Sequence, residues 1–210
     1  MAGKVTLQGR LIAVDGTRGR DTTRDAQALA DELKRRSIRC AVSQWDASGL
    51  FAELALGSDL RISARSLSLV YAADLAFRLR WEIRPILDSG GIVIAASYVD
   101  TAVAFGESVG LPGNWLRELF RFAPAADGMA RAVERKLDKP WKQRLDRGYA
   151  EYCAAILSRS APKAYSKSAR KKMIGALDGA RAAQATALTP KGVNAFAKIL
   201  TGNRPAASSR

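Results

Sequence analysis

Leu11-Ile12-Ala13-Val14-Asp15-Gly16, followed by Thr17-Arg18-Gly19-Arg20-Asp21-Thr22-Thr23, decides how this chain reads. The first four residues form a short, unbroken apolar run with a turn signal behind it. A run without alternation marks a strand buried on both faces of a parallel sheet. Beyond the polar stretch, Ala26, Leu29, Ala30 and Leu33 recur at helical spacing, which predicts a helix from Asp21 to Arg36. Strand, glycine-bearing loop and helix are the setting of a phosphate-binding loop. Set without gaps on G-x-x-x-x-G-K-[ST], Gly16 takes the first glycine and Thr23 the hydroxyl. Asp21 stands at the second glycine and Thr22 at the lysine. Gly16, Arg18, Gly19, Arg20, Thr22 and Thr23 are therefore read as a degenerate phosphate loop. A carboxylate at Asp21 suits the helix dipole but competes with a bound phosphate. Asp21 and Thr22 serve equally well as caps of the helix. Arg18, Arg20 and Arg24 bring positive charge nearby, away from the lysine position.

Outward from this stretch, Val5-Thr6-Leu7 reads as a short leading strand and Cys40-Ala41-Val42 as a second strand. Ala64 to Leu87 reads as a long helix with Leu67, Val70, Tyr71, Phe77, Trp81 and Ile86 at its apolar positions and one conspicuous polar residue, Asp74. Gly90-Gly91 ends it, and Ile92-Val93-Ile94-Ala95-Ala96 is a third buried strand. Tyr98–Phe105 and Asn114–Phe122 follow as shorter helices. Alternating strands and helices imply a parallel sheet with right-handed crossovers. After Phe122 the strand signal fades, and residues 128–137, 141–158, 166–188 and 190–201 all read as helix. The expected fold is α/β, with a sheet of about three parallel strands whose first strand lies near an uncovered edge. The expected division is a core over 1–127, a basic helical segment packed on it over 128–203, and a disordered tail over 204–210.

Composition narrows the chemistry. The 210 residues contain no histidine, which excludes Ser-His-Asp and Cys-His nucleophiles and imidazole acid–base work. Cys40 and Cys153, without histidine, cannot complete a structural zinc site, and no metal ligands are assigned. Their sparse use fits the cytoplasm, with one disulfide left open. No apolar run approaches the roughly 18 residues of a membrane span, and no signal peptide is expected. The net charge is +14, and it is unevenly placed. Residues 1–130 carry 16 basic and 15 acidic side chains, whereas 131–210 carry 18 and 5. That asymmetry points to nucleic acid or another polyanion as partner, or else to a solvated face that keeps the protein soluble. Lys167, Arg170, Lys171 and Lys172 form the densest patch, and with Lys163 they are the polyanion-binding candidates. Tyr165 is its single aromatic, so little base specificity is expected.

Several blocks of sequence resemble the bacterial-type thymidylate kinases. Leu11–Gly16 is similar to their first strand and its acidic-glycine step. Ala26–Leu33 resembles their first helix, and Ala72-Ala73-Asp74 the A-A-D beside the nucleoside site. Ile83-Arg84-Pro85-Ile86-Leu87 with Gly90–Ile94 looks like their I-R-P-x-L and following strand. Trp115–Leu119 with Arg121-Phe122-Ala123 is similar to W-x-R-E-L-x-R-F-A, and Gly148-Tyr149 to their later R-x-G-Y helix. The resemblance implies a P-loop kinase fold and makes Tyr71, Asp74, Tyr98 and Asp100 nucleoside-site candidates. As plain structure, Tyr71 is core, Tyr98 packs beneath the strand end and Asp100 caps a helix.

Departures from the family pattern fall on the groups that hold phosphate and metal. Thr22 replaces the loop lysine, and Ala96-Ser97-Tyr98 replaces Asp-Arg-Tyr. Gln44-Trp45-Asp46 replaces Arg-Glu-Pro, and Leu75 replaces the arginine of A-A-D-R. Phosphoryl transfer is almost entirely positioning and charge stabilisation, so these losses remove its main terms. The expectation is a thymidylate-kinase-like protein that has lost phosphoryl transfer, has no assigned catalytic residue or cofactor, and binds a polyanion through its basic helices. The alternatives are an active nucleoside-monophosphate kinase using ATP and magnesium, and a non-catalytic subunit that contacts a protein partner or forms a homodimer. No membrane association is expected.

Overall fold

A computed structural model describes residues 9–17, 19–45, 63–134, 167–179 and 185–202. The chain order is β1 (Arg10–Asp15), α1 (Gly19–Arg35), β2 (Cys40–Gln44), α2 (Ala64–Arg78), a π-helical turn (Leu79–Ile83) and α3 (Arg84–Asp88). It continues through β3 (Ile92–Ala96), α4 (Val99–Ser108), α5 (Gly113–Leu119), β4 (Gly128–Arg131), α6 (Lys167–Leu177), β5 (Thr186–Ala187) and α7 (Pro190–Gly202). The wide turn precedes Pro85, which has no N–H to donate and whose ring crowds the preceding turn of a regular helix.

The sheet has five strands in the order β2-β3-β1-β4-β5, all parallel. The α/β class is as expected, but the three-strand count is corrected. Residues 128–131, expected to be helical, form β4, and β5 lies within the stretch expected as one helix over 166–188. The first strand is consequently central, flanked by β3 and β4, rather than near an edge. The expected strand at Val5–Leu7, the helix over 141–158, Cys153 and the tail over 204–210 lie outside the described residues.

Strand alternation divides the core between the two faces. Leu11, Ala13, Val93 and Ala95 pack with α2, α4 and α5, and with Met173 and Leu177 of α6. Ile12, Val14, Ile92, Ile94 and Ala96 pack against α1 and against Val193, Phe196 and Leu200 of α7. Each such large side chain, fully buried, contributes about 1.5–3 kcal/mol. The basic C-terminal third therefore supplies both a strand and core side chains. Arg131 fastens it further, donating to the Leu177 carbonyl at 2.9 Å and to Asp178 Oδ1 at 2.8 Å. Phe77 and Trp81, placed on the apolar side of the long helix by their spacing, are instead 40% and 62% exposed.

Candidate functional site

The parallel register brings Asp15, Ala96, Gln44 and Arg131 to one edge of the sheet, where the loops after β1 and β3 meet. In open α/β sheets this carboxyl edge is where ligands bind. Asp15 is buried there, and its Oδ1 accepts from the Tyr98 N–H at 2.9 Å, the Thr101 N–H at 3.0 Å and the Thr101 hydroxyl at 2.6 Å. Burial pushes the Asp15 carboxyl above its ordinary value, Asp100 pushes the same way, and these donors oppose both. Asp15 thus ties the phosphate-loop position to the start of α4. Asp100 lies in the first turn of α4, whose N-cap is Tyr98, so it favours the helix dipole without capping.

α1 begins at Gly19, earlier than the sequence suggests, so neither Asp21 nor Thr22 caps it. Thr22 is buried. Its hydroxyl donates to the Gly19 carbonyl at 2.7 Å and lies 2.9 Å from Ser97 Oγ. Gly16 donates its N–H to Thr101 Oγ1 at 3.2 Å. A Cβ on Gly16 would come within 3.0 Å of both Ala132 Cβ and Thr22 Cγ2. The Cβ side of Gly16 is therefore filled by the chain's own atoms. Thr23 is half-buried, Arg20 places its backbone in the first turn of α1, and Arg18 lies outside the described residues.

Arg24, given as a nearby positive charge, pairs with Asp21 at 2.6 Å and Asp25 at 2.8 Å. Burial works against its charge, but Asp25 and Asp21 outweigh burial and raise its pKa. Its Nη2 donates to the Val133 carbonyl at 2.8 Å, while Asp25 Oδ2 accepts from the Val133 N–H at 2.8 Å. Thr17 donates its hydroxyl to Glu134.

Across the edge, Arg78 is fully buried and grips two strand ends. Its Nε donates to Ser43 Oγ at 3.0 Å, and its guanidinium donates to the carbonyls of Ser43 at 2.9 Å, Ser97 at 3.0 Å and Ala96 at 3.4 Å. Asp74, also buried, lies 4.0 Å from it. Tyr71 shares its hydroxyl between the carbonyls of Ser97 at 2.9 Å and Tyr98 at 3.1 Å, and its ring meets Phe120 edge-on. Burial raises its pKa, so it stays a donor. Tyr98 donates its hydroxyl to the Pro124 carbonyl at 2.8 Å. Ser97 joins the two clusters in a left-handed backbone conformation, φ 59°.

The structure thus gathers Gly16, Gly19, Thr22, Tyr71, Asp74, Tyr98 and Asp100 at one edge. It adds Ser43, Arg78, Thr101, Asp25 and Glu134, which were not singled out from sequence. Arg78 carried a signal, because Asp74 and Arg78 fall on the same helical stripe as Leu67, Tyr71 and Leu75. Of the basic patch, Lys171 and Lys172 are exposed on α6. Lys167 and Arg170 place their backbone on the same helix, and Lys163 lies outside the described residues. No group of His, Cys, Asp and Glu suited to a metal ion occurs among the described residues, and no helix among them is long and apolar enough to cross a membrane.

Comparison with known proteins gives the same direction as the motifs. No family model matches the chain. A probable thymidylate kinase of Caldivirga maquilingensis is 27% identical over 176 residues, 81% of this chain and 85% of that protein. A probable thymidylate kinase of Pyrococcus abyssi is 27% identical over 58% of this chain and 63% of its own length. The thymidylate kinase of Xanthomonas oryzae pv. oryzae is 36% identical over 126 residues. The match with it covers 57% of this chain and 53% of that protein. The resemblance to thymidylate kinases therefore rests on relatives as well as on motifs, and the five-stranded parallel sheet agrees with it.

Proposed function

We propose that this chain is a cytoplasmic, thymidylate-kinase-like protein that keeps the kinase fold and works by binding without transferring phosphoryl groups. One observation carries the reading. Where a phosphate loop offers a lysine to the terminal phosphates, Thr22 is buried and its hydroxyl faces Gly19 and Ser97. Positioning and charge do nearly all the work in phosphoryl transfer, and neither is supplied from that position. ATP and magnesium enter only under the active-kinase alternative. A coupled assay of ADP release with ATP, magnesium and thymidine monophosphate decides between them. No release above background is expected. Turnover in the usual range of about 1–10³ s⁻¹ overturns the reading.

The partner class favoured by charge is a polyanion, through the basic last third. Lys171 and Lys172 project from α6 while Met173 and Leu177 of the same helix are buried, so charge and packing occupy different faces. Because α6 and α7 cover the sheet, deleting them also strips the core, and point substitutions are the proper test. Lys171→Glu with Lys172→Glu should weaken binding to duplex DNA and flatten its log–log salt dependence, which scales as about −0.9 per phosphate contacted. An unchanged salt slope removes these lysines from the reading. Contact with a protein partner or a second copy is favoured instead on the outer face of α2 and the π-helical turn after it, where Leu69, Phe77 and Trp81 are exposed. Phe77→Glu should then lower the sedimenting mass of the assembly.

A further inference from the structure

We infer that the degenerate phosphate loop is an internal docking site, held shut by a strap of residues that follow β4, Ala132-Val133-Glu134, one of which is a carboxylate. The inference rests on the reading above and names what occupies the loop in place of a phosphate.

The strap leaves β4 and continues along β1, where the Ala132 N–H donates to the Asp15 carbonyl at 2.9 Å. That bond sets the Ala132 methyl against Gly16, the first loop glycine. Val133 is then held at both of its backbone groups. Its N–H donates to Asp25 Oδ2 at 2.8 Å, and its carbonyl accepts from Arg24 at 2.8 Å. Arg24 is the one arginine of the loop region whose side chain is described, and Asp21, Asp25 and the strap engage it together. The Thr17 hydroxyl donates to Glu134.

Each part of the strap thus uses a group that an incoming phosphate would need. The Cβ side of Gly16 is covered by a methyl group, and its N–H is taken by Thr101. The guanidinium is committed to carboxylates. A loop hydroxyl faces a carboxylate oxygen, whose charge has the same sign as an incoming phosphate. Charge-assisted hydrogen bonds to Arg24 and Asp25 are the stronger kind, so the strap is fixed at Val133 as well as at Glu134.

Calorimetry with sodium pyrophosphate at low salt tests the strap on the full chain. The parent is expected to show no binding. Glu134→Gln keeps an acceptor for Thr17 and removes the charge. Glu134→Ala combined with Asp25→Asn removes the charge and weakens both anchors. Both variants should gain pyrophosphate affinity at least tenfold, the double variant more, with faster amide exchange at Gly16, Thr17 and Gly19. A parent that binds pyrophosphate as tightly as the variants overturns the inference. So do folded variants that bind no better than the parent, or whose loop amides exchange at the parental rate. ADP release by the parent judges the functional reading separately, since the strap fails on pyrophosphate even where no phosphoryl transfer occurs.

Discussion

Two clusters of side chains hold the strand ends at the carboxyl edge of the sheet, one rich in carboxylates and one centred on a guanidinium. After β1, carboxylates of Asp21, Asp25 and Glu134 surround the loop, with Arg24 paired among them. After β2 and β3, one buried guanidinium, Arg78, gathers the carbonyls of Ser43, Ala96 and Ser97. The first end is shared among several side chains, with Asp21, Asp25 and Thr17 buried and Arg24 and Glu134 open to solvent. The second centres on one long, fully buried side chain that donates to Ser43, Ala96 and Ser97. The contrast teaches where disruption should cost most. Leaving buried carbonyls without a donor is expensive, whereas groups at the surface exchange partners with solvent.

Breaking the guanidinium end should have the largest effect. Arg78→Met removes the donors from three carbonyls and the cation beside buried Asp74, and should cost about 3–5 kcal/mol in urea denaturation. A loss below about 1 kcal/mol would mean that the strand ends hold themselves. Tyr71→Phe keeps the ring against Phe120 and removes only the hydroxyl shared by the Ser97 and Tyr98 carbonyls. The expected loss is about 1–2 kcal/mol by the same measurement.

The loop end is sharpened by Asp15→Asn. Burial, with Asp100 behind it, raises the Asp15 pKa above its ordinary 3.8. Its contribution to stability is therefore full below about pH 4 and is lost as pH rises through the folded value. Asparagine keeps an acceptor at Oδ1 and does not titrate. Relative to the variant, the parent should lose stability between pH 4 and neutrality, read from denaturation midpoints at both. A parallel pH dependence for parent and variant would contradict the raised pKa.

The smallest effect concerns Ser97, where the two ends join. Ser37 and Ser97 both adopt left-handed backbone, φ 58° and 59°. Ser37→Gly relieves that strain at an exposed turn and should gain about 0.5 kcal/mol after the extra chain entropy of glycine. Ser97→Gly gains the same relief but loses the contact of its hydroxyl with Thr22, worth about 1 kcal/mol. The difference between the two melting shifts isolates that contact, and equal shifts would show that it contributes nothing.

Much of the framework was legible in the residues. β1, β2 and β3 are compact strands that the sequence marks, two of them by unbroken apolar runs. Leu29 and Leu33 lie on the buried side of α1, as their spacing predicts. β4 and β5 were not legible. Gly128-Met129-Ala130-Arg131 and Thr186-Ala187 have little strand propensity, and only Ala130 among them is fully buried. They are strands because β1 and then β4 offer them unpaired backbone groups. The outward turn of Phe77 and Trp81 has a similar origin. The helix already buries a polar stripe, Asp74 and Arg78, toward the sheet, so apolar residues at neighbouring positions face out.

The sequence by itself determined the α/β class, the glycine-bearing loop between β1 and α1 and the absence of a lysine there at Thr22, because apolar run length, helical spacing and residue identity are local properties. Tertiary structure alone decided that β1 is central, that Arg78 is buried, and that Glu134 reaches Thr17. Those facts depend on which distant backbone edges pair and on how much water that pairing excludes, and no local window of sequence carries either.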